Sequence, residues 1–135
     1  MAALRMTHVR LLVQDFGRSF RFWRETVGLP LIFGDESGPY AEFDTRVANL
    51  AIFDASHQDA LPDASERPQA RGADQMVVTL LVDKMPAALK ELESRGLSFL
   101  PAPQTRERWR IRTAYFRDPE GNLIELYEPA GGTLG

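Results

Sequence analysis

The chain has 135 residues, 44% hydrophobic and 26% charged, with a net charge of −3 and no cysteine. That length suits one domain of roughly 100–200 residues with its own core, and the missing cysteines exclude disulfides, thiolate nucleophiles and thiolate metal sites. No basic stripe is present to bind nucleic acid or an anionic membrane surface; no apolar run reaches the ~20 residues of a membrane span or forms a signal peptide, so a cytoplasmic location is expected.

The first element is His8-Val9-Arg10-Leu11-Leu12-Val13. Its alternation predicts a strand with Val9, Leu11 and Val13 on one face and His8, Arg10 and Leu12 on the other. Asp15 is placed to cap a helix on which Phe16, Phe20 and Trp23 recur at helical spacing and are assigned to the core; Gly28 ends it, with Pro30 beyond. Three short strands are expected next, over Leu31–Phe33, Tyr40–Asp44 and Leu50–Phe53. Ala55 to Asp74 is rich in Ala, Asp, Pro, Gln and Arg without a clear period, which predicts a linker.

The second half repeats the pattern. Val77–Val82 predicts a strand, and Asp83 to Arg95 an amphipathic helix with Met85, Leu89 and Leu92 on one stripe and Gly96 as its stop. Strands are expected over Ser98–Leu100, Arg112–Phe116 and Leu123–Tyr127. The last two are joined by Asp118-Pro119-Glu120-Gly121-Asn122, where Pro sets the turn and Gly-Asn tolerates positive φ. Leu11-Leu12-Val13 aligns with Leu80-Leu81-Val82, which sets His8 opposite Val77. The fold class expected is α+β, two tandem βαβββ modules over residues 1–54 and 75–129, with a 55–74 linker and a 130–135 tail, in one compact domain.

This duplication resembles the vicinal-oxygen-chelate superfamily, the glyoxalase, bleomycin-resistance and dioxygenase group, over nearly the whole chain. Three stretches carry the resemblance: His8 to Asp15 with Phe22-Trp23 and Gly28-Leu29-Pro30; Phe116 to Leu126; and Trp109-Arg110-Ile111-Arg112, with Arg110 where the family usually has Gly. The resemblance implies modules that form a half-open barrel around a cleft, and many relatives are homodimers, so a homodimer is expected. It also implies a divalent metal held by one ligand from the first and one from the fourth strand of each module. At those positions stand His8 and Glu125, which suit Fe, Ni, Zn, Mn or Mg, but also Val77 and Ala51 (or Asn49 on the same face), of which Val and Ala donate nothing. His57, in the linker, is the one other histidine.

Two readings follow. In the first, the protein binds a small molecule in its cleft without a complete metal site, as bleomycin-resistance members sequester drug, and no cofactor is expected. In the second, it is a metal-dependent lyase, isomerase or dioxygenase that uses His8 and Glu125. Arg10 and Arg112 could clamp a carboxylate or phosphate; alternatively they neutralise Glu125, Glu42 and Asp44. Phe53, Trp109, Tyr115 and Tyr127 could line the cleft, or some of them belong to the core. No phosphate-binding glycine loop or serine nucleophile elbow is present.

Overall fold

The computed structural model describes residues 3, 4, 6–57, 76–100, 104–106 and 111–129, with 104–106 and 111 described through their backbone alone. It forms two compact units, Met1–Ala70 and Arg71–Gly135. Each unit has the order βαβββ: β1 His8–Val13, α1 Phe16–Arg21, β2 Leu31–Gly34, β3 Tyr40–Phe43 and β4 Asn49–Asp54 in the first; β5 Val77–Leu81, α2 Met85–Ser94, β6 Gln104–Arg106, β7 Ile111–Arg117 and β8 Leu123–Pro129 in the second. The sheets are unclosed, ordered β1-β4-β3-β2 and β5-β8-β7-β6. In each, the first strand pairs in parallel with the fourth, and the remaining pairs are antiparallel. Among the described residues no helix is long and apolar enough to cross a membrane.

Strand alternation sorts each sheet into two faces. In the first, Leu11, Val13, Ala41, Phe43, Leu50 and Ile52 are buried with Phe16, Phe20 and Trp23 of the helical segment. The Phe20 and Phe43 rings lie 5.7 Å apart. Burying each of the larger apolar side chains contributes roughly 1.5–3 kcal/mol, so this face holds the unit together. In the second unit Ala114, Phe116, Ile124 and Leu126 are buried, together with Met85 and Leu92 of α2.

The Asp15 cap is present: its carboxylate accepts from the Arg18 N–H at 3.1 Å. The helix it starts is not uniform, however. After Arg21 the chain widens into a π-helical segment, Phe22–Val27. Gly28, at φ 88°, lets two successive N–H groups, its own and that of Leu29, reach the Trp23 carbonyl at 3.2 and 3.0 Å. This closing turn draws the last residues into the wider register, a feature that side-chain periodicity does not reveal.

The second helix is shorter than its amphipathic stripe. Lys84 offers no side-chain cap, a proline stands in the first turn, and the Glu128 carboxylate on β8 accepts the Met85 N–H instead. One strand is a correction. Ser98–Leu100 is not a strand; the edge strand is β6, Gln104–Arg106. Leu100 makes a single ladder-like bond, its N–H to the Tyr115 carbonyl at 2.8 Å. Pro101 and Pro103 follow in the sequence, and proline has no N–H with which to continue a ladder.

Candidate functional site

The helix-free face of the first sheet carries its polar groups. In the β1–β4 register His8 is opposite Asn49, and Arg10 opposite Ala51. In the β3–β4 register Glu42 is opposite Ala51, and Tyr40 opposite Phe53. Paired residues point the same way, so these side chains share one surface. Glu42 is its centre. His8 Nε2 donates to Glu42 Oε1 at 2.9 Å, the Tyr40 hydroxyl donates to the same oxygen at 3.0 Å, and Asn49 Nδ2 donates to Oε2 at 3.0 Å. His8 Nδ1 is also hydrogen-bonded, to the Thr7 hydroxyl at 2.8 Å.

This arrangement sets the acidities. Burial works to raise the Glu42 carboxyl, but the hydrogen bonds from Asn49, Tyr40 and His8 together outweigh it and hold the group below its ordinary value. The Tyr40 phenol moves up, first because it is desolvated and then because it donates to the Glu42 carboxylate, with Arg10 pulling in the opposite direction. Beside this cluster the Arg10 guanidinium carbon lies 5.5 Å from the Tyr40 ring centroid and 5.7 Å from that of Phe53. The rings of Phe33, Tyr40, Phe53 and His57 follow one another at 6.0, 5.5 and 5.4 Å.

The corresponding face of the second sheet carries Glu125. Its register partners are Thr79 on β5 and Tyr115 on β7. The Tyr115 hydroxyl donates to Glu125 Oε2 at 2.5 Å, and the Thr79 hydroxyl to Oε1 at 3.4 Å. Tyr127 shares this face by register with Leu81 and Thr113. Arg112 does not: it is opposite Glu128, one residue out of phase with Tyr127, and its Nη1 lies 3.7 Å from Glu128 Oε1.

The structure therefore brings His8, Arg10 and Phe53 onto one face, and Glu125 and Tyr127 onto the helix-free face of the other unit. Trp109 lies outside the described residues. The hub of the first cluster, Glu42, is a residue whose role sequence reasoning did not find beyond a charge for the arginines to neutralise. Strand parity from Tyr40 to Glu42 supplies a signal, but joining them to His8 needs the register across three strands.

The registers also equate the corners of the two units. Ala51 is opposite Arg10 as Glu125 is opposite Thr79, so Ala51 stands where the second unit has its carboxylate. Ala51 is fully buried and Val77 is 44% exposed; neither offers a donor atom. Asn49 is committed, with Nδ2 on Glu42 and Oδ1 accepting the Thr45 N–H at 3.3 Å. Among the described residues no three His, Cys, Asp or Glu side chains gather as a metal-binding group. The donor set does not fit a complete four-ligand shell.

The fold has relatives among known proteins. A sequence model of the Glyoxalase/Bleomycin resistance protein/Dioxygenase superfamily matches residues 5–126. Among curated relatives, uncharacterized protein YraH of Bacillus subtilis is 25% identical over 93% of this chain and 98% of its own. Virulence protein STM3117 of Salmonella typhimurium is 29% identical over 90% of this chain and 82% of its own. Among solved structures, a glyoxalase/bleomycin resistance protein/dioxygenase family enzyme from Burkholderia phytofirmans has a TM-score of 0.75 at 17% identity, over 93% of this chain and 99% of that one. A lactoylglutathione lyase from Agrobacterium tumefaciens has 0.67 at 19%, over 96% of each chain.

Proposed function

The chain belongs to the Glyoxalase/Bleomycin resistance protein/Dioxygenase superfamily, and from that premise we propose that it binds a small molecule against its helix-free sheet faces without a resident metal. The observation that carries this reading is the state of the two would-be ligands. His8 already has a partner at each ring nitrogen, and each Glu125 oxygen accepts from a hydroxyl. The remaining corners, Ala51 and Val77, supply no donor that would repay an ion for its lost waters.

Elemental analysis of protein purified without tag or chelator tests this. Well under one equivalent of Fe, Ni, Zn, Mn or Mg is expected, and micromolar additions should barely move the melting temperature, since ligand stabilisation grows with the logarithm of concentration over Kd. Stoichiometric metal, lost on either His8→Ala or Glu125→Ala, would overturn the reading in favour of a metal-dependent lyase, isomerase or dioxygenase. A homodimer is part of the proposal. Val77 and Leu81 are exposed on edge strand β5, a surface that pairing between copies would cover. Light scattering on the same sample should give twice the 15.2 kDa chain mass; a monomeric mass refutes that part alone.

A further inference from the structure

The first sheet's open face joins a cation, an aromatic strip and a carboxylate that is already engaged. Arg10 is exposed and lies over the Tyr40 and Phe53 rings, which stand nearly perpendicular at 80°. None of the described carboxylates forms an ion pair with it. Contact with the rings holds the guanidinium in place; it also hydrogen-bonds the Tyr40 hydroxyl, and the N–H groups beyond that bond form a planar fork that matches a carboxylate. Phe33, the register partner of Glu42, extends the strip to the sheet edge and is 62% exposed.

The charge balance argues against a cationic ligand here. Glu42 is the carboxylate at the centre of this face, and it accepts from His8, Tyr40 and Asn49. The charge of Glu42 is thus already shared among three donors, one of them His8 at ion-pair distance, which leaves less of it for an incoming ammonium, whereas an anion meets Arg10 directly. Resting on the small-molecule reading above, we propose that this face takes a planar aromatic carboxylate, its anionic group on Arg10 and its ring along Phe33 and Tyr40.

Ligand-observed NMR and calorimetry on the full chain test it with benzoate, its neutral amide benzamide and the cation benzylamine. Benzoate should bind about tenfold or more tightly than benzamide, the usual strength of a hydrogen bond to a charged group. Arg10→Ala should remove that preference and leave benzamide unchanged, Arg10→Lys should restore part of it, and Phe33→Ala should weaken benzoate and benzamide together. Circular dichroism on each variant confirms folding, and Arg10→Gln serves should Arg10→Ala not fold. Benzamide or benzylamine binding as tightly as benzoate would overturn the anion site while leaving small-molecule binding intact. Benzoate affinity indifferent to Arg10, or no binding of any probe, would also overturn it; the metal analysis judges the broader reading separately.

Discussion

The two units close their last hairpins with different chemistry. Between β7 and β8, Asp118 Oδ1 accepts the Glu120 and Asn122 N–H groups at 3.0 and 2.8 Å, and Oδ2 accepts Asn122 Nδ2 at 2.9 Å. Gly121, at φ 87°, donates its N–H to the Asp118 carbonyl at 3.0 Å. Between β3 and β4, Asp44 Oδ1 accepts the Arg46 N–H at 2.7 Å, the Thr45 hydroxyl donates to the Ala48 carbonyl, and the left-handed residue is Arg46, at φ 74°. Both turns begin with an aspartate that takes the N–H two residues on. The second surrounds it with donors and uses glycine for the left-handed position, while the first has one such bond and keeps a side chain where the backbone disfavours it.

The sharpest way to break the comparison is to remove both aspartates in turn. Asp118 is buried, at 4% exposure, so Asp118→Ala leaves several donors unmet and should cost about 2–3 kcal/mol in urea denaturation. Asp44→Ala should cost only about 0.5–1 kcal/mol; equal losses would show that the two turns are equivalent after all. Burial, opposed by hydrogen bonds from Asn122 and Glu120, raises the Asp118 carboxyl above its ordinary value. A carboxyl raised by folding binds its proton more readily in the native state, so its contribution to stability increases as pH falls from the raised value toward the unfolded one. Asp118→Asn should abolish that part of the pH slope, read from melting temperatures across the acid range.

The effects at the two left-handed positions should have opposite signs. A Cβ at Gly121 would meet nothing within 4 Å, so Gly121→Val tests the backbone alone and should destabilise by roughly 1–3 kcal/mol. Arg46→Gly should stabilise by up to about 1 kcal/mol, the relief of left-handed strain less the added freedom of the unfolded chain. Denaturation midpoints that move in the same direction would contradict the assignment of strain to Arg46.

The same contrast explains what was legible beforehand. Asp118-Pro119-Glu120-Gly121-Asn122 names its own turn, so β7 and β8 were placed with ends off by one or two residues. Asp44-Thr45-Arg46-Val47-Ala48 contains no glycine or proline, and its turn was located only between two apolar runs. Period-two alternation put His8 and Arg10 on one face correctly, because parity depends on neighbours in sequence. The hub at Glu42 was not legible: its meeting with His8 depends on pairing across β1, β4 and β3, and no local pattern encodes a register between distant strands.

The parallel pairing of first and fourth strands also orders events in time. His8 pairs with Asn49, and Val77 with Leu123, so each opening strand stays without its partner until nearly its whole unit has been translated. Every strand pair described here joins residues of a single unit. On the ribosome, where domains fold as they emerge, the first sheet can complete its ladder once Asp54 has cleared the exit tunnel, before β8 has been synthesised. Within each unit the long loop between its end strands must close before that parallel pair can form.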